Sequence, residues 1–180
     1  MTFEEKTIES KYVYQGKIFK VRQDIVTAPG GQTAIRDIIE HRGGVGIAAV
    51  TKDKKLILIR QFRKAAEEVL WEIPAGKIEP DEVDKLAQTA ERELKEETGY
   101  KSENLEYMGG FFGTCGYDNE VIHLFYADAT EKGETHFDPT EAIDTYEIEI
   151  PKALEMLKNG EIKDGKTAIA VLMVARRFNL

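Results

Sequence analysis

The sequence is poor in the features that mark secreted and membrane proteins. Cys115 is the single cysteine among 180 residues, so no disulfide can form within the chain and a reducing compartment is expected. No apolar run approaches the ~20 residues that cross a bilayer. Residues 1–6 are polar and acidic, unlike a signal peptide. We therefore expect a cytoplasmic protein that does not bind a membrane.

Positive charge is also scarce. The chain has 25 Lys and Arg against 33 Asp and Glu, a formal net charge of -8. Binding to a nucleic acid backbone needs clustered cations, so we expect no nucleic acid partner. A small anionic substrate remains compatible with this charge, because a bound metal ion can supply the positive charge locally.

The length fits one domain with a small appended element. Residues 1–43 form that element: a meander of strands over 9–43, with turns at Gln15-Gly16 and at 28–31. Such a sheet is too thin to be stable alone. Either it packs on the main body or it pairs with a second subunit. The Gly43-Gly44 break separates it from a main domain over 44–180.

Strand and helix patterns alternate through the main domain. Apolar, β-rich runs predict strands, and helical periodicity with Gly or Pro at the ends predicts helices. Strands are predicted at 45–51, 56–63, 69–73, 105–112, 121–127 and 145–150, and helices at 84–98, 151–159 and 166–178. We expect Asp84 to cap the first helix and Gly99 to end it. The core face of the last helix is expected to comprise Ile169, Leu172, Met173 and either Ala175 or Phe178. This order predicts an α/β (α+β) fold with a mixed sheet between helices.

The first predicted helix carries an unusual density of carboxylates. Glu91, Glu93, Glu96 and Glu97 fall within seven residues, and helical geometry places the last three on neighbouring turns of one face. Like charges at this spacing destabilise a helix, whereas a hard divalent cation needs converging oxygen ligands. A solvated acidic face is the alternative. The Pro-Ala-Gly loop at 74–76 and the helix stop favour a metal site.

These residues resemble the Nudix box, a signature of hydrolases that act on nucleoside diphosphates linked to another group. The fixed positions of that pattern are matched by Gly76, Glu82, Arg92, Glu93, Leu94, Glu96, Glu97 and Gly99. The family has seven residues between its first glutamate and the arginine, and this chain has nine. Whether Glu82 or Asp84 takes the first position is therefore open. The resemblance implies an α/β/α sandwich.

Outside the box, the chain is similar to the ADP-ribose pyrophosphatase branch of the family. The similarity lies in Arg60-Gln61-Phe62-Arg63, in Trp71 to Lys77 and in residues 36–41. This branch usually forms homodimers through its N-terminal sheets. A Thr114-Cys115-Gly116 loop stands where the branch usually has a proline, which leaves the choice of nucleoside diphosphate sugar open.

The resemblance also implies roles for individual residues. The Ala75 carbonyl, Glu93 and Glu97, with Glu96, would hold Mg²⁺, or alternatively Mn²⁺. Arg92 would orient these carboxylates, and Glu141 matches the general base, with Glu134 and Asp138 as alternatives. Arg36 and Arg63 would contact phosphate or ribose, or else are surface cations.

The function implied is a Mg²⁺-dependent pyrophosphohydrolase. It would split ADP-ribose, or a related nucleoside diphosphate sugar, into a nucleoside monophosphate and a sugar phosphate. Two alternatives remain. One is a Nudix-like sensing domain that binds a nucleotide without turnover. The other is a hydrolase of dinucleoside polyphosphates or oxidised nucleotides.

Overall fold

Ten strands and three helices make up the part of the chain that the computed structural model describes, residues 3–137 and 142–180. The strands are β1 (Lys6–Gln15), β2 (Lys20–Thr27), β3 (Thr33–Glu40), β4 (Gly44–Thr51), β5 (Lys55–Arg63), β6 (Glu68–Glu72), β7 (Ala75–Lys77), β8 (Tyr100–Phe112), β9 (Val121–Lys132) and β10 (Ile143–Glu149). The helices are α1 (Leu86–Thr98), α2 (Ile150–Lys158) and α3 (Gly165–Arg177). Contacts divide the chain into an N-terminal unit, residues 1–43 with 112–121, and a main unit, residues 44–111 with 122–180.

The N-terminal unit is built on an antiparallel meander, β1-β2-β3. Its centre is the buried Asp24, which accepts hydrogen bonds from the Ser10 hydroxyl at 2.6 Å and from Arg22 Nε at 2.9 Å. Segment 112–121 joins β3 through backbone bonds on both sides of Ile39, from Ile39 N–H to the Tyr117 carbonyl and from Asn119 N–H to the Ile39 carbonyl. The small antiparallel β unit predicted from the sequence is therefore present.

The main unit is built on a mixed sheet with the order β10-β5-β4-β9-β8. Strand β4 runs parallel to β9, whereas β5 is antiparallel to both β4 and β10. Alternate residues of a strand face opposite sides of a sheet. The odd-numbered Val45, Ile47 and Ala49 pack toward α1, and the even-numbered Ala48 and Val50 pack toward α2 and α3. The predicted α/β/α sandwich is confirmed.

Strands β4 and β5 diverge soon after their hairpin. Their register contains the single pair Val50–Leu56. Further along, the free edge of β5 pairs with β6, from Ile59–Glu72 to Arg63–Glu68. The corresponding edge of β4 pairs with β7, from Gly44–Lys77 to Gly46–Ala75. The chain between β6 and β7 therefore lies in the gap between the two diverging strands.

One local prediction about the helices is wrong, and another is right only in part. The residue that precedes α1 as its cap is Lys85, and it makes no side-chain capping bond to the described residues, so Asp84 is not the cap. On α3 the buried face comprises Thr167, Ala170, Val171, Val174 and Ala175. Of the predicted face, Ala175 is buried and Ile169 and Phe178 pack against the core, but Leu172 is 55% exposed. Within the described residues, no helix is long and apolar enough to cross a membrane.

Gly99 ends α1 as predicted, in the left-handed conformation with φ 75°. A Cβ at this position would lie 2.4 Å from the Gly133 carbonyl oxygen. Gly160 has nearly the same φ, +76°, but nothing within 4 Å of its Cβ position. The two glycines therefore separate the conformational cost of a side chain from its steric cost.

We expect Gly160→Ala to lower the free energy of unfolding by about 1 kcal/mol, the cost of a left-handed non-glycine residue. Gly99→Ala should lower it by about 1–3 kcal/mol more, because the chain must also shift away from a backbone carbonyl. Urea unfolding of both variants measures the difference. Equal losses would contradict this view of the helix end.

Candidate functional site

The segment 73–76 leads from β6 into β7 and is held from two sides. The Ile73 N–H donates to Thr167 Oγ1 at 2.9 Å, across a sequence separation of 94 residues. The Pro74 carbonyl accepts from the Ile47 N–H at 2.8 Å. Ile73, Pro74 and Thr167 are all buried. Helix α3 and strand β4 therefore fix this backbone between them.

Helix α1 reaches the same segment with two carboxylates one turn apart. Glu97 is 5% exposed, and its Oε2 accepts from the Ala75 N–H at 2.9 Å. The Glu93 carboxylate lies against Gly76, where an added Cβ would come within 1.9 Å of Glu93 Cδ and 2.4 Å of both oxygens. Position 76 has room only for glycine while Glu93 keeps this place.

Arg92 binds the carboxylates on its side of the helix together. Its Nε and Nη2 donate to the two oxygens of Glu82, both at 3.0 Å. Its Nη1 lies 2.8 Å from Glu93 Oε1 and 2.9 Å from Glu96 Oε2. Hydrogen bonds from Arg92 hold the pKa of Glu82 below its usual value. Burial alone would lower the pKa of Arg92, but the three carboxylates raise it, so the guanidinium stays charged.

The structure pairs Arg92 with Glu82, whereas Asp84 is exposed. The connection from β7 to α1 coils into two successive turns, closed by Glu82 N–H to the Glu79 carbonyl at 3.0 Å and Lys85 N–H to the Glu82 carbonyl at 2.8 Å. The Glu79 N–H also donates to Glu82 Oε2. The two additional residues are taken up by this coil.

The donor set at the end of α1 suits a hard divalent cation. The carboxylates of Glu93 and Glu97 both meet the backbone of residues 75–76, and carboxylate oxygens are ligands that Mg²⁺ prefers. Among residues 3–137 and 142–180, however, no group of three or more His, Cys, Asp or Glu side chains is already arranged around one metal position. Arg92, which contacts Glu93 and Glu96, lies among the predicted ligands instead.

A pocket of about 530 Å³ opens on the solvent side of α1. Its lining residues are Gln88, Glu91, Arg92, Lys95, Glu96 and His136. The His136 N–H donates to the Glu96 carbonyl at 2.9 Å. The segment that follows β9 is thus tied to the helix that carries the acidic cluster.

A second charged group lies behind the 73–76 segment. Glu72 is 2% exposed and accepts from Arg63 Nε at 2.6 Å and Nη2 at 2.8 Å, and also from Lys166 Nζ. Burial alone would raise the pKa of Glu72, but Arg63 and Lys166 outweigh it and hold the pKa below its usual value. Arg63, predicted to contact substrate, is therefore engaged by Glu72, although its side chain is 40% exposed.

The remaining predicted residues are placed as follows. Arg36 lies in the N-terminal unit and pairs with Glu5 through Nε at 2.9 Å and Nη2 at 2.5 Å. Glu134 is exposed. Glu141, the predicted base, and Asp138 lie outside the described residues.

Sequence reasoning missed Glu72, Thr167 and Lys166. Each owes its place to a contact between the 72–73 segment and α3, 94 residues away, which no local pattern reveals. One signal was available: Asp164 followed three residues later by Thr167 is typical of a helix start, and Asp164 Oδ2 does accept from the Thr167 N–H at 3.0 Å.

Comparison with known proteins identifies the family. The model of the NUDIX domain matches residues 40–170. The chain belongs to the Nudix family. A second model, the nucleoside diphosphate sugar hydrolase N-terminal domain, matches residues 5–39. The predicted family and its hydrolase class are confirmed, and Nudix hydrolases generally need a divalent metal ion.

Curated relatives cover nearly the whole chain. The methanol dehydrogenase activator of Bacillus methanolicus is 40% identical over 171 residues, covering 94% of this chain and 91% of the relative. The ADP-ribose pyrophosphatase of Bacillus subtilis is 36% identical, covering 94% and 92%. A solved ADP compounds hydrolase shares the fold, with a TM-score of 0.81, 19% identity and coverage of 97% and 94%.

The contacts of Glu72 with Arg63 and Lys166 make the free energy of unfolding depend on pH in the acid range. The folded-state pKa of Glu72 is depressed, so its contribution is complete above the unfolded value of about 4.3 and is lost as pH falls through the folded value. At pH 7, Glu72→Gln should cost about 1–3 kcal/mol, because Arg63 and Lys166 lose a charged partner.

Urea unfolding of both proteins from pH 7 to pH 3 tests this. The wild-type advantage should begin to shrink below about pH 4.3 and should be lost once the pH passes the lower, folded-state pKa, below which protonated Glu72 resembles glutamine. An advantage that stays constant over the whole range would contradict the assignment.

Proposed function

We propose that this chain is a Mg²⁺-dependent pyrophosphohydrolase that cleaves ADP-ribose or a related nucleoside diphosphate sugar. The products are a nucleoside monophosphate and a sugar phosphate. The observation that carries the proposal is the meeting of the Glu93 and Glu97 carboxylates at the backbone of residues 75–76. The relatives named ADP-ribose and GDP-mannose pyrophosphatase support this class of substrate.

Glu93, Glu97 and the Ala75 carbonyl are the proposed metal ligands, with Glu96 beside them. A divalent cation held there supplies positive charge that a diphosphate needs before it can be attacked. The chain itself contributes orientation. Arg92 fixes the direction of the Glu82, Glu93 and Glu96 carboxylates through charged contacts at 2.8–3.0 Å.

The proposed substrate contacts come from Arg63 and Arg36. A guanidinium has five N–H donors, and Glu72 takes two of those on Arg63, so an anion can bind to the others. Glu141 is the proposed general base, with Glu134 and Asp138 as the alternatives.

We also propose a cytoplasmic homodimer. The N-terminal sheet exposes the apolar side chains of Ile8 at 61%, Val13 at 53% and Ile35 at 60%, which a second copy would cover. A mass by light scattering of twice 20.3 kDa would support the dimer, and a monomer mass would remove it.

A second candidate role follows from the relative named methanol dehydrogenase activator, which is 40% identical over nearly the whole chain. This chain would then raise the rate of an alcohol dehydrogenase. Adding it to methanol dehydrogenase from Bacillus methanolicus and measuring alcohol oxidation tests this role. A hydrolase-inactive variant that still activates would separate it from hydrolysis.

The leading proposal is tested with a panel of ADP-ribose, GDP-mannose, a dinucleoside polyphosphate and an oxidised nucleotide, each with Mg²⁺ or Mn²⁺. We expect the fastest release of nucleoside monophosphate from a nucleoside diphosphate sugar. Glu97→Gln should lower turnover by about a hundredfold or more, the scale seen when one preorganised charge-stabilising group is removed. Glu155→Gln, the same change at an exposed position of α2, should not.

Each alternative has its own outcome. Tight binding of ADP-ribose without released monophosphate over hours would indicate a sensing domain. Fastest cleavage of the dinucleoside polyphosphate would indicate a dinucleoside polyphosphate hydrolase. Wild-type turnover in Glu97→Gln would remove the proposed metal site. In the same assay, Glu141→Gln should lower kcat without changing the metal concentration for half-maximal rate, whereas Glu134→Gln should change neither.

A further inference from the structure

Thr167 lies in the main unit at the start of α3, far along the chain from the acidic helix. Its side chain is 0% exposed. Its hydroxyl donates to Asp164 Oδ2 at 2.5 Å. The hydroxyl oxygen, Thr167 Oγ1, also accepts a hydrogen bond from the Ile73 N–H at 2.9 Å. A hydroxyl has one proton to donate. With that proton directed at Asp164, the oxygen lone pairs are left to receive the Ile73 N–H.

Asp164 is itself fixed by several donors. Its Oδ2 also accepts from the Thr167 N–H and from Lys166 Nζ, both at 3.0 Å. Lys166 continues to Glu72, the residue before Ile73. The first turn of α3 therefore holds two consecutive residues, one through a side chain and one through a backbone N–H.

Ile73, held by Thr167, lies two residues before the proposed metal ligand Ala75. Pro74 stands between them, and its ring fixes φ near −65°, so little rotation is available to absorb a shift of Ile73. On the far side, the Ala75 N–H donates to Glu97 at 2.9 Å, and Gly76 has no free space beside Glu93. A displacement at Ile73 is thus passed on to the contacts with both carboxylates.

We propose that Thr167 is a positioning residue of the metal site: by accepting the Ile73 N–H, its hydroxyl holds the 73–76 segment where Ala75, Glu93 and Glu97 can bind one cation. The proposal rests on the proposed function for the identity of the site. Groups that orient metal ligands from behind typically account for about 10–100-fold in metal affinity, without touching metal or substrate.

A merely structural role for Thr167 also predicts damage when it is changed, because the buried Ile73 N–H would lose its partner. Stability alone therefore does not distinguish the two roles. Metal affinity does, if it is measured against a variant of the same helix that is destabilised but keeps the hydrogen bond from Thr167 to the Ile73 N–H. Val171 is 0% exposed on α3, so Val171→Ala removes core packing and serves as that control.

The experiment measures binding of Mn²⁺ alone to the folded proteins, from the free-ion electron paramagnetic resonance signal at pH 7. Thr167→Val keeps the volume and removes the acceptor, and we expect Mn²⁺ affinity to fall by about tenfold or more. Thr167→Ser restores the hydroxyl and should restore affinity. Val171→Ala should unfold at lower urea concentration yet bind Mn²⁺ like the wild type.

Thr167→Val affinity equal to that of Val171→Ala would overturn the proposal, and so would absence of Mn²⁺ binding by the wild type. Should Thr167→Val fail to fold, Asp164→Asn weakens the same anchor and must lower Mn²⁺ affinity. If the wild type binds Mn²⁺ but releases no monophosphate from any member of the panel, the proposed function is wrong and the proposal on Thr167 is not affected. The comparison of affinities would then still decide the role of Thr167.

Discussion

Strands β4 and β5 lie beside each other at one residue pair, Val50 and Leu56, and then separate. A separation in the middle of a sheet leaves buried N–H and C=O groups that must find other partners. On β4 those partners come from residues 75–77 and from the Pro74 carbonyl. The need to satisfy the backbone of β4 thus draws the 73–77 chain into the sheet. Connecting segments are usually the mobile parts of a fold, whereas this one has the constraints of a strand.

Because the 73–77 segment is fixed in this way, the acidic helix faces a backbone of defined position. Helix α1 packs on the sheet through Ala90 and Leu94, which turns Glu93 and Glu97 toward the constrained backbone. Neighbouring glutamates repel each other by a few tenths of a kcal/mol per pair. Arg92 offsets this repulsion by contacting Glu93, Glu96 and Glu82 at once. Its planar, permanently charged fork can serve three carboxylates, which a lysine ammonium does less well.

How much could be predicted depended on the distance along the chain. Glu93, Glu97 and Gly99 were readable because helical spacing alone brings them to one face and one end of α1. Glu72 and Thr167 were not, since their contacts join segments 94 residues apart. The core face of α3 was predicted only in part: Ala175 is buried as expected, but the burial of Ala170 and Val171 and the exposure of Leu172 depend on how the helix packs, which its own sequence does not give.

The nine residues between Glu82 and Arg92 show how a box longer than the family pattern still allows a carboxylate to reach the arginine. Lengthening a flexible loop from seven residues to nine costs about 0.2 kcal/mol of closure entropy. The paired hydrogen bonds from Arg92 to Glu82 each contribute about 1.5–3 kcal/mol when charged groups are involved. The contact therefore outweighs the added length several times over. Because the additional residues coil between Glu79 and Lys85, Glu82 still reaches Arg92, and the helix keeps the carboxylate that its arginine needs.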